Sequence, residues 1–170
     1  MNKIHLEPIC YDNFIDALKL KVTKVQRNYV ARNIFSLAEA YAFQADGGKV
    51  FPFVIYNDKR PIGFVMIGYD IPLDEDDDKE ILWFIPKTYL VWRFMIDKRY
   101  QGKGYGKQAF QLALDFIRTW PAGKAEYAWL SYEPENEAAR KLYASFGFVE
   151  EPAAFDPEEE DDEMPAVLKL

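Results

Sequence analysis

Apolar positions along the chain fall into helical and alternating runs. Ile4-His5-Leu6 reads as a first strand closed by Pro8. Asp12 is placed to cap a helix starting near Asn13, in which Phe14, Ile15, Leu18 and Val22 recur at helical spacing. A second helix is expected from Ile34 to Phe43. Ser36 and Glu39 have the spacing of a capping box there, and Leu37, Ala40 and Tyr41 form its inward stripe. Asp46-Gly47-Gly48 stops it.

Val50 to Tyr56 and Ile62 to Tyr69 are rich in β-branched and aromatic residues. With the turn Asn57-Asp58-Lys59-Arg60-Pro61 between them, they predict an antiparallel hairpin. Ile81 to Ile85 reads as a short extra strand before Pro86. Tyr89 to Asp97 alternates, with Leu90, Trp92, Phe94 and Ile96 on one face and Arg93 on the other. If that other face is buried, Arg93 needs an acidic partner.

After a glycine-rich basic stretch, Arg99 to Lys107, comes the clearest helix. Its apolar face is Tyr105, Ala109, Phe110, Leu112, Ala113, Phe116, Ile117 and Trp120, ended by Pro121 and Gly123. Ala128 to Tyr132 is a strand broken by Glu133-Pro134. Asn136 begins a helix holding Ala139, Leu142, Tyr143 and Phe146, with Gly147 as its stop. Phe148-Val149 opens another strand, and the chain closes with one from Ala166 to Leu170. No internal repeat is visible. The order predicts a single α/β domain, residues 1–170, around a mixed sheet.

Composition narrows the chemistry. One cysteine, Cys10, and one histidine, His5, argue against an internal disulfide, a Cys/His zinc site and a Ser-His or Cys-His nucleophile; no metal is expected. Cys10 is expected to pack as a small hydrophobe and His5 to lie on a surface strand. No stretch approaches a membrane span, and the first residues lack the apolar core of a signal peptide. A cytoplasmic protein is the default expectation.

The chain has 21 cationic and 28 acidic side chains, a net charge of −7, which argues against general nucleic-acid binding. Five acids run from Asp74 to Asp78 and nine more lie between Glu150 and Glu163, so these two segments hold half of the acids. Without them the chain would carry +7. They are either solvated loops or a negative field that draws in a cationic substrate.

Gln101-Gly102-Lys103-Gly104-Tyr105-Gly106-Lys107 lies between a predicted strand and a predicted helix. Glycines let backbone turn tightly and approach a ligand, and outward N–H groups at a helix start favour a pyrophosphate. Lys103 and Lys107 add charge. The loop has neither the Gly-Lys-Ser/Thr of a Walker loop nor the G-x-G-x-x-G of a dinucleotide fingerprint.

Gln101-x-x-Gly104-x-Gly106 resembles the Q/R-x-x-G-x-G/A signature of the GNAT superfamily, the acyl-CoA-dependent N-acyltransferases. Asn136-x-x-Ala139-x-x-Leu142-Tyr143-x-x-x-Gly147-Phe148 resembles that superfamily's other hallmark segment. Residues 89–106 look most like bacterial spermine/spermidine (diamine) acetyltransferases. The resemblance implies an α/β (α+β) fold: one domain, a mixed but mostly antiparallel sheet of six or seven strands, and four flanking helices.

The resemblance also implies roles. Phe94, Met95 and Ile96 would offer strand backbone to the pantetheine arm of acetyl-CoA. Gln101, Gly102, Lys103, Gly104, Tyr105, Gly106 and Lys107 would hold its pyrophosphate through main-chain N–H groups. Asn136 would help hold the pantetheine or thiol end. Tyr143 would be the general acid for the departing thiolate, unless it is simply a core aromatic. Many relatives carry a Glu base on the strand before the loop, whereas this chain has Trp92 or Arg93 there. Asp70, Glu80 and Glu133 are the alternatives, with Glu133 favoured by its place at a strand end. The implied acceptor is a small cationic amine, spermidine or spermine. Trp83, Trp92 and Trp129 would meet it by cation–π attraction or else pack in the core, and Glu39 would reach the entrance. Another amine (an aminoglycoside, an amino acid or a protein N-terminus), a non-catalytic acyl-CoA-binding module and a homodimer through the closing strand stay open.

Overall fold

The computed structural model describes residues 3–159 and 162–170. Met1 and Asn2 of the N-terminal reading, and Glu160 and Asp161 of the second acidic run, lie outside the described residues. The elements are β1 (Ile4–Pro8), α1 (Phe14–Lys19), a 3-10 turn (Val25–Asn28), α2 (Asn33–Ala45), β2 (Lys49–Asn57), β3 (Arg60–Tyr69), β4 (Tyr89–Ile96), α3 (Tyr105–Ile117), β5 (Tyr127–Tyr132), α4 (Glu137–Ala144), β6 (Val149–Glu150), a second 3-10 turn (Pro152–Ala154) and β7 (Met164–Lys169). The seven strands form one mixed sheet in the order β1-β2-β3-β4-β5-β7-β6. Among the described residues, only β4 and β5 pair in parallel.

Both faces of the central strands are apolar because helices cover both. On one face, Ala109, Phe110, Ala113, Leu114 and Ile117 of α3 pack on Ile55, Val65, Ile67 and Val91. On the other, Ala17, Leu20 and Ala40 from the α1–α2 layer meet Val54, Phe64, Met66 and Met95. A strand buried on both sides reads as an almost continuous apolar run, as β2 and β3 do.

Two features of β4 govern its second half. Met66 pairs with Arg93 and Ile67 with Val91, so Trp92 is an extra residue without a partner on β3. Such a bulge reverses the inward and outward sides along the strand. Tyr89 and Val91 face α3 before it, and Phe94 and Ile96 after it, while Trp92 and Met95 join the α1–α2 side. The single face expected for Leu90, Trp92, Phe94 and Ile96 is therefore broken. Second, β4 pairs with β5 only at Tyr89–Ala128 and Leu90–Trp129, and the two strands part beyond that point.

Several local expectations are corrected. Ile81 to Ile85 is not a strand; Phe84 and Ile85 are buried in a turn, and Thr88 Oγ1 donates to both of their carbonyls, at 2.6 and 2.8 Å. Ser36 caps nothing, because α2 starts earlier, at Asn33; its hydroxyl donates back to the Arg32 carbonyl inside the helix. Asn13, not Asp12, organises the start of α1. It is buried, accepts from Cys10 N at 2.8 Å and donates to the Pro8 carbonyl at 3.0 Å. α1 ends at Lys19, so Val22 falls outside it, and Ile15 is exposed. Tyr41 is also exposed, at 77% of its surface; the buried positions of α2 are Asn33, Ser36 and Ala40, a narrow stripe that leaves Tyr41 outside. Cys10 is exposed rather than packed as a hydrophobe, because it lies in the connection before α1.

Candidate active site

The parting of β4 and β5 opens a cleft of about 750 Å³. Val91 to Ile96 form one wall and Ser131, Tyr132, Asn136 and Tyr143 the other; residues 26–31, in and after the first 3-10 turn, close a third side. Gln101, Gly102 and Gly106 lie at one end.

That end is built by Asp97. Its buried carboxylate accepts from Arg99 N at 3.0 Å, Arg99 Nε at 2.8 Å and Lys21 N at 2.9 Å. Burial alone would raise its pKa; the hydrogen bonds from Arg99 and Lys21 outweigh that and hold it below the ordinary carboxylate value. Gln101 then clips the loop. Its Nε2 donates to the Ile96 carbonyl at 2.8 Å and to Gln26 Oε1 at 3.0 Å, and Gln26 Nε2 donates back to Gln101 Oε1 at 3.2 Å. Gly102 and Gly104 have φ of 72° and 76°, where a side chain is strained, and a Cβ on either would meet no atom within 4 Å. Gly104 is the N-cap of α3 and supplies no side chain to satisfy the first N–H groups of that helix.

The rest of the predicted loop set divides. Lys103 Nζ donates to the Arg99 carbonyl at 3.1 Å and sits 5.6 Å from the Tyr100 ring centre. The Tyr105 hydroxyl accepts from Asn57 Nδ2 at 3.2 Å, tying α3 to the β2–β3 turn. Lys107 borders a separate hollow with Gln108, Gln111 and Ile4. None of these three lines the cleft; Phe94, Met95 and Ile96 do.

On the opposite wall, Asn136 Oδ1 accepts from Ala139 N at 3.2 Å and so caps α4. Two turns on, Tyr143 is buried against Phe110, Tyr132 and Phe148, with ring centres 5.1, 5.6 and 6.2 Å away. Phe110 also meets Phe94 at 5.2 Å and Phe146 at 5.0 Å, so one α3 side chain spaces β4 from α4. Burial pushes the Tyr143 phenol well above its usual pKa, and the charges of Glu163 and Tyr132 add to this. The hydroxyl therefore holds its proton at neutral pH. Tyr132 donates to Glu150 Oε1 at 2.5 Å, and Arg140 Nε lies 2.8 Å from the same oxygen.

Arg93 has the acidic partner it needs. Glu39 Oε2 lies 3.1 Å from its Nη2, while Nη1 donates to the Trp92 carbonyl at 2.8 Å. Glu39 is thus engaged by Arg93 and is not among the residues that line the cleft. Of the three tryptophans, Trp92 lines the cleft. Trp83 and Trp129 pack on Tyr127 and Phe84. Among the carboxylates suggested by sequence, Asp70 Oδ1 accepts from Lys87 N at 2.8 Å in the loop after β3, and Glu80 is exposed. Glu133 lies just past β5, where its carbonyl accepts from Asn136 N at 2.8 Å. Asp70, Glu80 and Glu133 all lie outside the cleft lining, whereas Glu163, hidden in the acidic run, belongs to it. Its sequence signal was faint: it is the last acid before a strand.

Among the described residues no cluster of three His, Cys, Asp or Glu side chains is arranged to hold a metal, and no helix is long and apolar enough to cross a membrane.

Comparison with known proteins agrees with this fold. A model of the Acetyltransferase (GNAT) family matches residues 23–148. Spermine/spermidine N(1)-acetyltransferase of Bacillus subtilis (strain 168) is 29% identical over 145 residues, covering 85% of this chain and 87% of that protein. The structure of spermidine N-acetyltransferase from Vibrio cholerae, in complex with CoA and spermine, superposes with a TM-score of 0.68 at 20% identity, covering 98% and 95% of the two chains. An aminoglycoside acetyltransferase bound to coenzyme A gives 0.67 at 14% identity, with 98% and 94% covered. At these identities the two structures share the fold.

Proposed function

The chain belongs to the GNAT acetyltransferase family, and from that premise we propose that it moves an acetyl group from acetyl-CoA to a primary amine of spermidine or spermine. The observation that carries the reading is the cleft between β4 and β5, with bare glycine backbone at one end and the Tyr143 phenol inside.

The cleft fits the donor. Past Leu90 and Trp129, β4 offers strand backbone that β5 does not pair, as a pantetheine arm requires. At Gly102 and Gly104 the main chain is open to a diphosphate, and the start of α3 adds N–H groups and partial positive charge. In this reading Phe94, Met95 and Ile96 hold the arm. Gln101 to Lys107 bind the diphosphate through backbone, with Lys103 and Lys107 contributing charge from the flank. Asn136 steadies the thiol end while capping α4.

The amine attacks the acetyl carbonyl directly. Tyr143 then protonates the sulfur as it leaves: its phenol lies in the cleft lining with its proton in place, where negative charge develops on the thiolate. Glu133, beside the cleft at the end of β5, is the sequence's candidate for the ammonium proton. The polyamine acceptor is supported by the likeness to the Bacillus subtilis protein across most of both chains and by the two acidic runs.

Purified protein with acetyl-CoA is assayed for thiol release on spermidine, spermine, a lysine peptide and an aminoglycoside. The expected result is turnover on the first two, with kcat/KM at least about tenfold above the others, a difference of about 1.4 kcal/mol in barrier. Release on the aminoglycoside alone overturns the acceptor. Heat from coenzyme A binding with background turnover on every amine overturns the enzyme reading in favour of a binding module.

A further inference from the structure

Among the described residues that line the cleft, one carboxylate is present: Glu163. It ends the second acidic run immediately before β7, whose Met164 pairs with Tyr132 at the end of β5. That register sets Glu163 just past the end of β5, where it joins the cleft lining. The Ser131 hydroxyl, also on the cleft wall, donates to the Glu163 carboxylate, and Glu163 N donates to Asp162 Oδ1 at 2.9 Å. Backbone and side chain are both tethered.

The other acids are elsewhere: Glu39 is engaged by Arg93, and Asp70 by Lys87 N. A primary ammonium has a pKa near 10.4, so at neutral pH attack requires that a proton be removed.

Resting on the acetyl-transfer reading of this cleft, we infer that Glu163 is the group that takes the ammonium proton, and that Ser131 is the positioning residue that holds its carboxylate toward the acceptor. Glu163 accepts one proton from the ammonium nitrogen and passes it to solvent. The freed electron pair forms the C–N bond as the C–S pair leaves with sulfur. Tyr143 protonates that sulfur, and the second nitrogen proton returns through Glu163 to restore Tyr143. One proton is released per amide formed. The titratable and charged groups that share the cleft lining with Glu163 are Tyr132 of β5, Tyr143 of α4, Arg93 of β4, and Arg27 and Tyr29 at the first 3-10 turn, with Asp162 beside it on its own segment. Behind Tyr132 stands the Glu150–Arg140 pair.

The test is the pH profile of kcat/KM on spermidine for the wild type, Glu163→Gln, Ser131→Ala and Glu133→Gln, with coenzyme A affinity by calorimetry. Glu163→Gln keeps an acceptor for the Ser131 hydroxyl and is expected to fold. It should lower the neutral-pH rate about 100-fold, within the usual range for a general base. Its rate should climb with pH as the amine itself deprotonates, and coenzyme A should bind as before. Ser131→Ala should move the profile the same way by a smaller factor. A wild-type profile in Glu163→Gln, or a shift that follows Glu133→Gln instead, overturns the assignment and leaves the acetyl-transfer reading standing. A wild type silent on every amine brings down both.

Discussion

Tyr143 and Arg93 show how one buried polar atom is handled in two ways. Tyr143 keeps its proton because the surrounding rings offer a phenolate no solvation. Tyr143→Phe retains the packing against Phe110 and removes only the hydroxyl. In the proposed reaction it should lower kcat about 100-fold while the coenzyme A Kd, read by calorimetry, stays put; an unchanged kcat would make Tyr143 a core aromatic. Arg93 instead keeps its charge through Glu39. Glu39→Gln leaves that half-buried guanidinium without a counter-charge and should destabilise the fold by about 1–3 kcal/mol, seen as a lower Tm.

At the scale of elements, the cleft depends on the parting of β4 from β5 and on the loop that caps α3. Gly104→Ala forces a side chain into the left-handed region and should cost about 1–2 kcal/mol of stability, and it should weaken coenzyme A binding because the methyl stands on the open face of the loop. Thermal melts and calorimetry separate the two effects. Phe110 connects β4, α3 and α4, so its truncation to Ala should cost about 3–5 kcal/mol. Asp97 anchors the loop from beneath. Its pKa is lower in the folded state than in the unfolded chain, so its contribution is fully present above the unfolded value of about 3.9 and is lost as pH falls through the folded value. Denaturant titrations from pH 7 down to about 3 should show wild-type stability dropping in the acid range. Asp97→Asn should be weaker at neutral pH and flatter over the same interval.

Across the whole molecule, the acids are unevenly placed. The run 74–78 lies in the loop after β3, whose apolar residues Ile71 and Leu73 cover Phe84 and Val167. Asp77 and Asp78 there accept backbone N–H groups from Asp74 and Glu80. The second run leads straight into Glu163 and the cleft. Neutralising Asp156, Glu158 and Glu159 should therefore raise KM for spermidine about three- to tenfold at low salt, an electrostatic steering effect. The same change in Asp74–Asp78 should do less, and both effects should fade near 0.5 M salt, roughly, where screening is strong. Equal effects from the two runs would show that only net charge matters.

Local chemistry alone determined much of this protein. Continuous β-branched and aromatic runs specify β2 and β3, the apolar stripe from Ala109 to Ile117 specifies α3, and Asn136 and Gly147 bracket α4. The glycines at 102 and 104 mark their turn because other residues resist positive φ. Tertiary structure decided the rest. An extra residue at Trp92 leaves no trace in an alternating pattern, since pairing with β3 alone makes it a bulge. Phe84 and Ile85 are apolar enough for a strand, yet find burial in a turn whose carbonyls Thr88 satisfies. Glu163 is one acid among nine until the register of β7 on β5 sets it at the cleft. Propensity and period act over a few neighbours, whereas register and the parting of two strands depend on residues far apart in the chain.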